Sequence, residues 1–151
     1  MIVADIFVLD TSALITFLQN EDGADRIDQI LHAARLNKCT IVISFISLTE
    51  LYYILWQEQN ESAAKETVAL VKALPLAVVH SDERLALMAG RIKATFRLSL
   101  ADALIASTAI LVKGILIHKD PEFIPLEKIL NALVLPFKKS DPKRSAVRKS
   151  H

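Results

Sequence analysis

Four short apolar runs rich in β-favouring residues, at 6–9, 40–43, 76–79 and 114–117, punctuate a chain otherwise patterned at helical spacing, at about 12–19, 23–37, 47–59, 61–73, 82–96 and 100–113. The runs are continuously apolar instead of alternating, so both faces of the sheet they form need cover. That requirement selects an α/β domain: a mostly parallel central sheet of four to five strands flanked by helices on each side. The fifth strand is expected at the edge, over 133–135, closed by Pro136. With 151 residues, 52% of them apolar, and only three Gly and five Pro, the chain has enough apolar side chain for one core. No repeat or linker divides it, and one domain is expected over 1–137.

The formal net charge of +1 conceals a division by position. Residues 138–151 contain Lys138, Lys139, Lys143, Arg144, Arg148 and Lys149 against one acid, Asp141, so this stretch carries +5 and the rest of the chain −4. Its near-absence of apolar residues predicts a disordered basic tail. The first basic residue is Arg26, and Asp5 interrupts the N-terminal apolar run, so a secretory signal is not expected. The most apolar stretch, 103–112, falls well short of the roughly 20 residues that cross a bilayer and reads as a buried core helix. The lone Cys39 has no partner for an internal disulfide and no zinc-ligand spacing around it, which fits a reducing cytoplasm and a small buried side chain at the start of a strand. No membrane association is expected.

Boundary signals agree with this parsing. Ser81 ahead of Asp82 and Glu83 reads as a helix cap, Ser99 with Asp102 three residues on resembles a capping box, and Gly114 is placed to end a helix. Leu48, Leu51, Tyr52, Leu55 and Trp56 form an apolar helical stripe that reads as core, with an exposed docking surface as the alternative.

Several carboxylates stand where the pattern points inward. Asp10 ends the first apolar run, and Asp120 follows the fourth, so two strands offer an acid at their carboxyl ends, the edge where open α/β sheets bind ligands. Glu50 has Ile46, Tyr53 and Ile54 as helical neighbours and needs a partner, yet no Lys or Arg lies between Cys39 and Ala64. Asp102 opens the most apolar helix, where capping alone is a sufficient account of it. Asp10 is equally open to a capping role and Asp120 to a turn role, with Glu122 as a substitute for Asp120. Taken jointly, four acids at one end of one sheet repel unless a cation neutralises them. Oxygen donors without convergent His or Cys indicate a hard ion, Mg²⁺ or Mn²⁺.

Three segments carry a further likeness: Val8-Leu9-Asp10-Thr11-Ser12-Ala13-Leu14, Ser47-Leu48-Thr49-Glu50-Leu51, and the run from Leu98 to Ala109 that contains Ala101-Asp102-Ala103. Their order and spacing resemble PIN-domain ribonucleases, most closely VapC-type toxins of toxin–antitoxin pairs, over about 6–135. The resemblance implies a PIN-like three-layer fold in which Asp10, Glu50, Asp102 and Asp120 hold one or two divalent ions, with Ser12 touching the site. The fourth position departs from the family pattern. His118 stands where a hydroxyl is usual and Pro121 follows Asp120, while the acidic-Phe pair survives as Glu122-Phe123. His118 reads as structural, because nothing pairs it with a nucleophile.

The activity so implied is Mg²⁺- or Mn²⁺-dependent hydrolysis of RNA phosphodiester bonds, with a 3′-hydroxyl and a 5′-phosphate as product ends and no need of the 2′-hydroxyl. The implied partners are an RNA substrate, a cognate antitoxin that covers the acidic cleft, and a second copy in a homodimer. Arg91, Lys93 and Arg97, or the basic tail, are candidates for contact with RNA phosphates. A non-catalytic RNA-binding or assembly module of the same fold is the rival reading. An aspartyl-phosphate phosphotransferase is disfavoured, because Ser12 stands where its second acid belongs.

Overall fold

The computed structural model describes residues 4–136, and the basic tail expected over 138–151 lies outside them. The chain runs β1 (Ile6–Leu9), α1 (Thr11–Leu18), α2 (Ala24–Arg35), β2 (Thr40–Ser44), α3 (Phe45–Glu58), α4 (Glu61–Ala73), β3 (Ala77–Val79), α5 (Glu83–Thr95), α6 (Leu100–Leu111), β4 (Ile115–His118), a 3₁₀ segment (Pro121–Leu126) and β5 (Asn131–Val134). The five strands form one sheet in the order β3-β2-β1-β4-β5, every pair parallel. This is the α/β architecture expected from the apolar runs.

The need to cover both faces shows residue by residue. Along β1, Phe7 and Leu9 face one core while Ile6 and Val8 face another; β2 divides Ile41 and Ile43 from Val42, and β4 divides Ile117 from Leu116. The first core is closed by side chains of α1 to α4, among them Leu14, Ile27, Leu51 and Val71. The second is closed by α5, α6 and the 3₁₀ segment through Ile92, Ile105, Ala106 and Phe123. Three layers result. Helix α6 is the buried apolar helix expected from its composition, with Ala103 and Ile105 to Ala109 inaccessible. No single helix among the described residues is long and apolar enough to cross a membrane.

Several local expectations are adjusted. Asp82, not Ser81, caps α5, its carboxylate accepting from the Leu85 N–H at 2.8 Å. Strand β5 begins at Asn131 because pairing with Ile115 fixes its start; Asn131 and Ala132 are exposed and carry no apolar signature. Of the α3 stripe, Leu51 and Leu55 are core and Leu48 and Tyr52 pack against it, whereas Trp56 is exposed at its margin, edge-on to Tyr52. Cys39 is half-buried against the first core, its thiol 3.5 Å from the Ile30 carbonyl.

Gly114 does not end α6 in the left-handed conformation. Lys113 takes that conformation, with φ 55°. Gly114 is needed for close approach, since a Cβ there would stand 2.9 Å from Val8 Cγ2 and 3.1 Å from the Ile6 carbonyl oxygen. Val8 is fully buried at the centre of the sheet and has no room to yield. Gly114→Ala should therefore cost about 2 kcal/mol, the usual scale of overpacking. Urea unfolding with an unchanged m-value and a lower midpoint is the expected record, and an unshifted midpoint would refute the steric account.

Candidate metal centre

The strand order reverses at β1: the chain builds β2 and β3 on one side of it and returns through α5 and α6 to place β4 on the other. The carboxyl ends of β1 and β4 therefore border the switch-point crevice, the ligand-binding position of such sheets. Asp10 follows β1 directly, its N–H continuing the ladder to the Ile117 carbonyl at 3.1 Å. Asp120 lies two residues past β4. Helix α3 starts at the end of β2 and carries Glu50. Helix α6 runs back toward the start of β4, which puts its first turn, with Asp102, at the same edge.

Asp10 is buried, 2% exposed, and does two jobs. Its Oδ1 caps α1 by accepting the Ala13 N–H at 2.7 Å, so the capping reading of this residue is correct as far as it goes. The Ser12 hydroxyl donates to the same carboxylate, 2.7 and 2.8 Å from its two oxygens, and accepts the Lys119 N–H at 3.0 Å. Ser12 thereby ties the end of β1 to the end of β4. Burial drives the Asp10 carboxyl from 3.8 up to about 7; the bonds from Ser12 and Ala13 oppose the shift, and the charges of Asp120 and Glu50 add to it.

Asp102 is half-buried and does not cap α6. Ser99 does, its hydroxyl accepting the Asp102 N–H at 3.1 Å. The Asp102 carboxyl is likewise pushed up to about 7, chiefly by burial, then by the Asp120 charge and a hydrogen bond with Glu122, against a bond from Ser99. Glu50 adds a further repulsion. Asp120 and Glu122, the alternatives for the fourth acid, both approach Asp102: one carboxylate oxygen from each of the three lies within 4.8 Å of the others. Asp120 also serves the turn, accepting the Glu122 N–H at 2.9 Å on Oδ1.

His118 is structural. It is 1% exposed, its Nδ1 accepts the Asp120 N–H at 3.2 Å, and its ring lies against Phe123 with centroids 4.9 Å apart. Burial lowers its pKa, and an accepting Nδ1 leaves the proton on Nε2. Of the basic cluster, Arg91 and Arg97 are exposed, while Lys93 donates to the Leu98 carbonyl at 2.9 Å and holds the turn into α6.

Three neighbours of the acids carry no role in the sequence reading. Thr11 supplies Glu50 with the partner it lacked, a hydroxyl 2.7 Å from Oε1. Tyr53, nearly half exposed, borders the cleft; its hydroxyl pKa is raised by burial and by the charges of Glu50 and Asp102. Lys119 keeps its ammonium away from the acids, on the Asp22 carbonyl at 2.9 Å and near Glu21 at 3.8 Å. Only Thr11 had a signal available, a hydroxyl between Asp10 and Ser12 at a strand end.

A divalent ion suits these residues. The two side-chain ion pairs among the described residues, Lys65–Glu61 and Lys119–Glu21, involve none of Asp10, Glu50, Asp102, Asp120 or Glu122. Burial and neighbouring carboxylates raise the proton affinity of Asp10 and Asp102, and among the described residues no ion pair to a Lys or Arg offsets it, which is the donor chemistry of a hard metal. An open cavity of about 560 Å³ between α3 and α4, lined by Tyr52, Lys65 and Lys72, includes none of the acids. Convergence of donors, not cavity volume, marks the site.

Fold and site define an α/β protein with an acidic centre at the carboxyl edge of its sheet, and the chain belongs to the PIN domain family, whose model matches residues 7–128. No functionally curated protein matches it significantly. Among solved structures it is similar to VapBC2 from Rickettsia felis, captured on a promoter DNA fragment, with a TM-score of 0.69 and 19% identity over 87% of this chain and 99% of that one. It is also similar to VapBC-1 from nontypeable Haemophilus influenzae, with a TM-score of 0.65 and 21% identity over 85% and 97%. DNA-bound VapBC from Salmonella typhimurium gives a TM-score of 0.62 and 22% identity over 87% and 98%. At these identities the likeness establishes the fold.

Proposed function

We propose that this chain is a Mg²⁺- or Mn²⁺-dependent endoribonuclease, the toxin of a toxin–antitoxin pair. The observation that carries the reading is the meeting of Asp102, Asp120 and Glu122 at the switch point, with Asp10 and Glu50 near enough to interact electrostatically and no ion pair to a Lys or Arg at these acids among the described residues. Membership of the PIN family supports nuclease chemistry, and the toxin–antitoxin complexes among its structural neighbours support the partner. A homodimer and a cytoplasmic location belong to the same proposal.

In this reading Asp10, Glu50 and Asp102 hold the first ion, Asp120 completes the site or orients water, and Glu122 supports it. When bound, the divalent ion neutralises the approaching phosphodiester and lowers the pKa of water. The chain's own residues do the positioning: Ser12 and the Ala13 N–H fix Asp10, Thr11 holds Glu50, and Ser99 anchors the first turn of α6 under Asp102. Neutral His118 stiffens the corner that carries Asp120. Among the described residues no Lys or Arg forms an ion pair with these carboxylates that would compete with the ion.

End-labelled RNA incubated with the purified chain and Mn²⁺ should be cut to products ending in 3′-hydroxyl and 5′-phosphate, and excess EDTA should stop the reaction. Products ending in 2′,3′-cyclic phosphate, or cleavage that survives EDTA, would overturn the mechanism. Binding without cleavage would favour the non-catalytic module.

A further inference from the structure

Thr11 opens α1 directly after Asp10, and its side chain crosses to α3. The hydroxyl lies 2.7 Å from Glu50 Oε1 and 3.1 Å from Ser47 Oγ; Thr11 is 7% exposed and Ser47 fully buried. A hydroxyl has one proton, and an ionised carboxylate can only accept. The Thr11 proton is therefore committed to Glu50, and the contact with Ser47 is satisfied by the Ser47 proton on a Thr11 lone pair. Two buried hydroxyls form a directed chain that ends on one oxygen of Glu50. This is the side-chain hydrogen bond that Glu50 makes among the described residues, and Oε2 is left unbonded there.

Glu50 is otherwise poorly constrained. Its helical neighbours Ile46 and Ile54 are half-buried and Tyr53 is exposed, so packing does not select one rotamer of a long side chain. Asp10 is locked by two donors, whereas the fixing of Glu50 falls to Thr11 alone. We infer that Thr11 is a positioning residue for the metal centre, orienting Glu50 through the Ser47–Thr11 hydroxyl pair and so setting divalent-cation affinity. The inference rests on the metal reading of the site.

The test is calorimetric titration of the full chain with Mn²⁺. Thr11→Val keeps shape and removes the hydroxyl; affinity should fall about tenfold or more, the scale on which supporting groups act at metal sites. Thr11→Ser should restore affinity to within about twofold of the parent. In a Glu50→Gln background, Thr11→Val should cause no further loss, because the coupled group is gone. Thr11→Val combined with Ser47→Ala removes the buried hydroxyls together, avoids a stranded polar group, and should show the same loss if the single variant folds poorly. Unchanged Mn²⁺ affinity in Thr11→Val, no recovery in Thr11→Ser, or an undiminished loss in Glu50→Gln would each overturn the positioning role. A parent chain that does not bind Mn²⁺ would overturn the metal reading first, an outcome distinct from the others.

Discussion

Asp102→Asn is expected to abolish RNA cleavage while making the metal-free protein more stable at pH 8. The helix cap survives this substitution, because Ser99 accepts the backbone N–H of residue 102 whichever side chain that residue bears. What the substitution removes is a half-buried charge facing Asp120, Glu122 and Glu50, in a position that already drives the carboxyl up to about 7. Above that pH the wild-type group is ionised and repelled, and the amide is not. A gain of about 1 kcal/mol would raise the melting temperature by about 3 °C for a chain of this size. At pH 5 the wild-type carboxyl is already protonated and the advantage should vanish. Cleavage should fall by more than the roughly 10–100-fold that follows loss of a supporting group at a metal site. A variant less stable than wild type at both pH values would show that Asp102 serves the helix and not a cation.

The metal-free protein should also lose stability as pH rises from about 4 to 7, the reverse of the trend set by salt-bridged carboxylates. Asp10 titrates near 3.8 when unfolded and near 7 when folded. Between those values the folded state keeps a proton that the unfolded state has released, so the contribution of Asp10 is complete below the lower value, declines through the window and is gone above the upper one. For a group so deeply buried the difference is on the order of 4 kcal/mol, and Asp102 acts in the same direction. Mn²⁺ at a hundred times its dissociation constant should return about 2.7 kcal/mol at pH 8, a rise of about 8 °C. It should do much less at pH 5, where protons occupy the carboxylates. Equal stability of the metal-free protein at pH 5 and pH 8 would contradict the burial and repulsion assigned to Asp10.

The parts of the fold legible in the sequence are those dictated by backbone period and burial. Val8, Leu9, Ile41, Val42, Ile43, Leu116 and Ile117 form unbroken apolar runs because each strand feeds two cores, and that pattern alone requires parallel strands under two layers of helix. Strand β5 is less legible, since three of its four residues are exposed and its bounds come from pairing with β4. At the site, Asp10, Glu50, Asp102 and Asp120 stand out because acids beside apolar residues violate the usual segregation. Their supports do not. Thr11, Lys119 and Tyr53 are ordinary residues for their local settings, and only tertiary geometry pairs the Thr11 hydroxyl with Glu50 and the Lys119 N–H with Ser12. Along the chain Asp120 and Glu122 are alternatives for one position. In space the 3₁₀ turn presents both to Asp102.

The position of β4 beside β1 bears on when during synthesis the acidic centre can assemble. Asp10 and Glu50 emerge from the ribosome early, but the crevice has no second wall until residues 115–118 insert next to β1, after the whole α5–α6 crossover has been made. A nascent chain that stops short of Glu122 lacks the corner where three of the acids meet. Strand order thus makes assembly of the centre wait for the α5–α6 crossover and the corner after β4, and a product ending before that corner lacks the meeting point of Asp102, Asp120 and Glu122.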